Sequence, residues 1–487
     1  MDPEDASTTH NQTRTTPLPK YQLALTLLIQ SSEAITATVI YPFIAQLVRS
    51  TGITNGDETK VGYYAGVIES IFFISESLLV FQWGRAADRY GRRPILLLGP
   101  LGLGVAMLGF GLSRTFWPLV VFRAAQGVFN GNVGVSKTVL AEITDDTNRA
   151  SAFTMIPIMW TFGVTLGPTI GGYLAEPAKT WPSVFGKLQF FVDYPYFLPC
   201  FVAGLYAFIT FIIPFFGLKE TLASMTSIKA EREVNAEEES APLLGSTPGS
   251  TEPEPNYGST QHTALGTDSN DAPTKVSSTK LLNPALTITL VNYFLFTFSE
   301  MSYSALIPLL YSTSPVFGGL GFSARTIGTI MASFSFINAF IQIFLLKDLP
   351  KKLGAKRTYT LCYTSLLVAF GMLMVEQLLV RHGWSRGWIW AAIVVQLGSV
   401  TFMYPAYTSI SILIVETATP GTLGAVNGLA QAGASGFRGL GPSVASSLYA
   451  LSLHSGLLGG YLVYAVMASV VLAGTACSLM LPTPRKT

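Results

Sequence analysis

The chain has 487 residues, of which 49% are hydrophobic and 12% charged, with a mean hydropathy of +0.44 and a net charge of +2. Ordinary soluble domains carry about 25% charged residues, so this composition excludes a soluble globular protein and gives no reason to expect nucleic-acid binding. Three cysteines, Cys200, Cys362 and Cys477, all lie in apolar runs. They exclude a disulfide framework and show no metal-ligand spacing.

Residues 1–20 are polar, and the apolar run that follows is too long for the core of a cleavable signal peptide. A helix needs about 20 apolar residues to cross a bilayer. Segments of that kind are predicted at 21–48, 61–83, 95–113, 118–140, 151–176 and 195–216. A second group follows at 284–312, 324–346, 358–380, 388–416, 423–451 and 460–481. Between the groups, 217–283 is acidic and rich in Ser, Thr, Pro and Gly, which predicts a disordered linker. The expected organisation is a cytoplasmic tail (1–20), a six-helix bundle (21–216), the linker (217–283), a second six-helix bundle (284–481) and a short tail (482–487). An N-terminus in the cytoplasm places nineteen Lys and Arg residues inside and seven outside. The positive-inside rule therefore puts both termini in the cytoplasm. The Asn11 glycosylation pattern then stays bare.

The two groups echo each other. Segment 1 contains SSEAITATVIYP and segment 7 contains FSEMSYSALIP, each with a mid-span Ser-Glu and a later proline. Segment 5 contains LGPTIGG and segment 11 contains LGPSVAS. Tandem six-helix halves with a site at their interface are a transporter signature.

The densest cationic cluster, WGRAADRYGRRP at 83–94, lies between segments 2 and 3. Part of its charge is a topology anchor. Gly84 is expected to let segments 2 and 3 approach, Gly91 to permit a tight turn, and Asp88 to cap a helix or pair with an arginine. Contacts of this kind can form in one conformation and break in another, which makes a gate.

Gly84, Asp88, Arg89, Gly91, Arg92 and Arg93 resemble the loop 2–3 signature of the major facilitator superfamily. FRAAQG in segment 4 is similar to that family's second pattern through Arg123, Gln126 and Gly127. GVTLGPTIGG resembles the helix 5 pattern of its twelve-helix drug:proton antiporter branch through Gly163, Gly167, Pro168, Gly171 and Gly172. The chain looks most like the fungal members of that branch. The second half departs from the pattern, with Lys351 where Asp88 would repeat.

The resemblance implies an all-α membrane protein with the major facilitator fold, twelve transmembrane helices in two pseudo-symmetric halves. It implies proton-coupled export of small organic molecules such as drugs or secondary metabolites, by a monomer with no cofactor or metal. Proton symport, facilitated uptake and a transporter-like nutrient receptor are the competing functions. No nucleophile, base and orienting group assemble, so an enzyme is not expected.

Ionisable groups inside a membrane cost roughly 2.5–3.5 kcal/mol each on the insertion scale and mark functional sites. Here the mid-span set is Glu33, Glu69, Glu76, Arg123, Glu300 and Arg438. Glu33 lies about 18 Å into its segment at 1.5 Å per residue, and Glu300 is its counterpart in the repeat. The resemblance puts segments 1, 4, 7 and 10 around a central cavity, so Glu33 and Glu300 are expected to face it and to carry protons. A permanent ion pair with Arg123 is the competing reading. Interhelical hydrogen bonding competes for Glu69 and Glu76, and a solvated loop for Glu142 and Arg149, which otherwise complete the gate cluster with Asp88. Tyr404, Tyr407, Trp160 and Phe162 are candidates to stack on substrate or to serve as interface and lipid-facing filler. Glu239, Leu243 and Leu244 form an acidic dileucine pattern. The plasma membrane is the expected location, with a vacuolar or endosomal membrane favoured if that pattern is a sorting signal.

Overall fold

A computed structural model describes residues 16–131, 133–145, 147–148, 152–153, 155–222, 283–419 and 423–482. Arg149, Glu239, Leu243, Leu244 and Asn11 lie outside them. Among the described residues the chain is helical and contains no strand. The first half holds α1 (Lys20–Thr38), α2 (Ile44–Ser50), α3 (Val61–Tyr90), α4 (Arg92–Gly111), α5 (Phe116–Asn130), α6 (Val133–Glu142), α7 (Met155–Leu174) and α8 (Phe197–Gly217). The second half holds α9 (Pro284–Ser312), α10 (Ala324–Ile341), α11 (Ala355–Arg381), α12 (Arg386–Thr401), α13 (Met403–Thr417), α14 (Leu423–Ser455) and α15 (Leu462–Leu479). A helix or a broken pair of helices occupies each of the twelve expected segments.

Seven helical stretches are apolar and long enough to cross a bilayer on length and composition alone. The helices that carry Glu33, Arg123, Glu300 and Arg438 are not among them. The helix of Arg123 is too short, at 15 residues, and the other three carry polar residues of the kind that membrane proteins keep away from lipid.

The breaks have local causes. Between α1 and α2 the chain turns through Tyr41 and Pro42. Pro42 has no N–H to continue the ladder, and the Tyr41 N–H turns to the Thr38 carbonyl. At the α12–α13 junction Pro405 sits in the first turn of α13, where a missing N–H costs nothing. Pro94 does the same for α4.

Close helix contacts explain the glycines of segment 5. A Cβ on Gly163, Gly167 or Gly171 would overlap Ala34, Thr38 or the Val39 carbonyl of the first segment. Gly172 faces the other way: its Cβ would lie 2.8 Å from the Ala324 carbonyl and 2.8 Å from the Gly328 Cα on α10. Small residues at four-residue spacing thus let α7 meet α1 and α10 backbone to backbone.

The halves touch through α3 with α14 and α7 with α10. Ser443 N–H donates to Ser70 Oγ at 2.8 Å and Ser335 Oγ to the Val164 carbonyl at 3.3 Å. Towards the end that bears loops 51–60 and 313–323, Arg49 donates to the Ser312 carbonyl at 3.1 Å. Near the opposite end, Lys137 Nζ reaches Gln431 Oε1 at 3.5 Å. Among the described residues the hydrogen bonds between halves thus concentrate from the middle towards one end.

Two expectations need correction. A Cβ on Gly84 would meet nothing within 4 Å, so this glycine does not mediate a close approach of α3 and α4. The tight position is Gly91, at φ +101°, where a Cβ would lie 2.6 Å from the Glu220 carboxylate. Residues 218–222, expected in the linker, also pack on the first half. Leu218 is buried and Glu220 binds the start of α4, so the fold extends to Leu222 among the described residues.

Gly171→Ala should lower stability by about 1–3 kcal/mol through overpacking, whereas Gly84→Ala should change it by less than about 0.5 kcal/mol. Thermal melts of the two detergent-purified variants compare these effects directly.

Candidate functional site

A cavity with about 920 Å³ of empty space, its mouth included, lies between the halves. Ligand sites are mostly apolar with a few polar groups. Its wall includes Tyr41 from the first segment, Phe73 from α3 and Trp160, Val164 and Pro168 from α7. The second half supplies Glu300, Tyr303 and Ser304 from α9, Phe334 from α10 and Tyr404 at the start of α13.

Glu300 is the carboxylate on this wall. It accepts a hydrogen bond from the Tyr407 hydroxyl. Arg438 on α14 donates to the same hydroxyl at 3.2 Å, lies 5.7 Å from the Tyr407 ring centroid and is within electrostatic reach of Glu300. Tyr407 therefore sits between acid and cation. Trp160 and Tyr404 line the cavity, while Phe162 is exposed on the outer face of α7.

Glu33 is not on this wall. It borders a smaller space with Pro100, Leu103 and Ser136, and accepts a hydrogen bond from Asn130 Nδ2 at 3.0 Å. Around it stand Glu76, Lys137 and Arg438. Glu76 is buried, flanked by Asn130 and Ser435 and within reach of the same two cations. Arg438 is thus shared between the carboxylate of the cavity and the Glu33–Glu76 pair.

Arg123 is separate from both. It is 0% exposed. Its guanidinium donates to the Ala37 carbonyl at 3.1 Å, the Thr36 carbonyl at 3.4 Å and Gln126 Oε1 at 2.6 Å, and lies 4.4 Å from the Phe72 ring centroid. Thr36 and Ala37 stand where the break at Pro42 interrupts the helical ladder, so Arg123 serves the carbonyls at the end of α1. Glu69 and Tyr41 are its electrostatic neighbours. The ion pair weighed for Glu33 and Arg123 does not form; Asn130 holds Glu33 instead.

The loop 2–3 cluster forms a network within the first half. Asp88 accepts from Arg92 Nη1 at 2.6 Å, and Arg92 Nε donates to Glu142 at 3.2 Å. Thr221 Oγ1 donates to the other oxygen of Glu142 at 2.5 Å. Arg93 reaches the Phe215 carbonyl at 2.5 Å, and Arg89 lies over the Tyr90 ring. The Asp88 side chain is 66% exposed.

Glu220 completes this network. It accepts from the backbone N–H groups of Arg92 at 2.8 Å and Arg93 at 3.0 Å, capping α4, and from those of Thr221 and Leu222. Partial burial opposes its ionised form, but these donors outweigh that and hold its carboxyl below the usual value.

Sequence reasoning missed Asn130, Lys137 and Glu220. Arg123, Asn130 and Lys137 recur every seven residues, a face-sharing pattern that was legible. Glu220 was hidden because the groups it caps on α4 are backbone N–H groups more than 120 residues away.

The family's sequence profile, Major Facilitator Superfamily, matches residues 26–442. The chain belongs to the Major Facilitator Superfamily. This superfamily member is a multi-pass membrane transporter and not an enzyme. It is 30% identical to the major facilitator-type transporter psiT2 of Psilocybe cyanescens, over 97% of this chain and 92% of that one. It is 28% identical to the efflux pump azaK of Aspergillus niger, over 93% and 86%. The solved D-xylose-proton symporter shares its fold at a TM-score of 0.63 and 15% identity, covering 96% of this chain and 98% of the other.

A carboxylate held low on folding stabilises above its unfolded value, and that contribution is lost as pH falls through its folded value. The melting temperatures of wild type and Glu220→Gln should therefore differ most at neutral pH. They should converge as pH falls below 4.5, the ordinary value of the group. Melts across that range measure the difference.

Proposed function

We propose that this transporter exports small organic molecules by proton-coupled antiport, its two six-helix halves rocking about the central cavity. The observation that carries the reading is the position of Glu300: a carboxylate on the cavity wall, bonded to Tyr407 and facing Arg438. Protonation of Glu300 removes the negative charge that Arg438 faces there. Arg438 is then free to move towards Glu33 and Glu76, and substrate and proton compete for the same carboxylate. The aromatic wall of Tyr41, Phe73, Trp160, Phe334 and Tyr404 suits flat or amphipathic molecules. The similarity to azaK, an efflux pump, favours the outward direction.

With the basic loop 84–94 in the cytoplasm, the end joined by Arg49 and Ser312 is extracellular. The protein is then closed outward. In this state Asp88 bonds only within its own half among the described residues and is exposed, free to engage the second half when the cytoplasmic end closes. The Asp88 carboxylate itself is largely solvated, which limits what its pair with Arg92 adds to stability and leaves Asp88 a conformational role.

Flux assays in proteoliposomes, with a panel of radiolabelled cationic, neutral and anionic amphiphiles, test this. Saturable movement against a proton gradient, abolished by an uncoupler, is expected. Movement with the gradient would establish symport instead. Glu300→Gln and Glu33→Gln should each lower gradient-driven flux at least tenfold while the protein still reaches the membrane. Wild-type flux in either variant would remove that residue from the mechanism. Asp88→Asn should slow transport at least tenfold with its melting temperature unchanged, and an equal loss of stability would show a structural role.

A further inference from the structure

A second acid lies in the C-terminal half, away from the cavity and its charged core. Glu376 on α11 is 0% exposed, and neither of its carboxylate oxygens has a hydrogen-bond partner. The neighbouring Gln377 is equally buried, with both of its amide atoms unpartnered.

The groups that face Glu376 are neutral. They are Tyr303 and Tyr311 from α9 and Tyr464 from α15. Tyr464, beside Tyr449 of α14, has a buried hydroxyl without a hydrogen-bond partner. Gln396 on α12 joins two of the tyrosines, donating to the Tyr303 hydroxyl at 2.8 Å and accepting from Tyr311 at 2.6 Å. On α11 itself, Arg381 is turned away, bonded to the Gly459 carbonyl and lying 5.0 Å from the Tyr461 ring centroid. Among the described residues no cation forms an ion pair with Glu376.

An ionised carboxylate in such a place would be an uncompensated buried charge, which proteins avoid by pairing or by neutralisation. Pairing is absent, which leaves the neutral acid. Its surroundings also place it between two functional regions. Tyr303 is on the cavity wall, and its oxygen, having accepted from Gln396, keeps its own proton to donate. Tyr311 precedes Ser312, whose carbonyl receives Arg49 across the closed end.

We infer that Glu376 is a proton-binding site of the transporter, separate from Glu300, Glu33 and Glu76, which holds its proton while the Arg49–Ser312 end is closed and exchanges it when that end opens. The timing rests on the rocking motion proposed above. The bound proton does not.

Infrared spectroscopy of the purified full-length chain in nanodiscs at neutral pH separates the two parts. Glu376→Gln should remove one C=O band of a protonated carboxylic acid and leave the carboxylate bands unchanged. Loss of a carboxylate band instead would overturn the proton site. Glu376→Asp keeps an acid and should shift that band without removing it, which serves if Glu376→Gln does not accumulate. An unshifted spectrum would again count against the site. After transfer to D2O, Arg49→Ala should speed the deuterium shift of the Glu376 band at least tenfold over wild type. Equal rates would sever the link to the closed end while leaving the flux assays above unaffected.

Discussion

A guanidinium inside a bilayer must find compensation within the protein, because lipid offers none. Arg438 meets that requirement by standing between two carboxylate sites. On one side are Glu300 and Tyr407 at the cavity, on the other Glu33 and Glu76 with Asn130 and Lys137. These acids come from both halves of the chain, so compensating one buried charge also ties the halves together. The arrangement is responsive because neither carboxylate site owns the cation. Changing the charge of either site changes what the other experiences.

Arg123 shows the opposite solution. Its partners are mainly carbonyl oxygens, which do not titrate, and they are available because Pro42 breaks the helix that follows them. A charge compensated in this way fixes a shape. Arg123 is fully buried and directs its hydrogen bonds to groups that do not titrate, with Glu69 only an electrostatic neighbour, whereas Arg438 bonds the tyrosine that holds Glu300. The distinction lies in the partners, and the arginines themselves do not reveal it.

That difference also marks how far the sequence could be read. Periodicity and composition located the helical segments, because a bilayer requires long apolar stretches. The glycines at 163, 167 and 171 could be placed on one packing face, since four-residue spacing is a local property. Which partner each charge would meet was not legible. Asn130 displaces Arg123 as the partner of Glu33, and Glu220 binds backbone N–H groups that leave no trace in residue type. Glu376 escaped because a single acid late in an apolar segment looks like the boundary of a span. Only three-dimensional packing shows that nothing neutralises it.

The contact between Gly172 and Gly328 has a mechanical consequence. Two backbones in direct contact with no side chain between them make a short fulcrum at one end of α7. The rest of that helix, back to Met155, is a lever of about 25 Å at 1.5 Å per residue. A rigid-body turn of about 15°, a size known for subunit rotations, sweeps its far end through about 6–7 Å. In the rocking motion proposed above, a pivot with almost no arm on one side and a long arm on the other makes the same turn displace the far end of α7 much more than the near end.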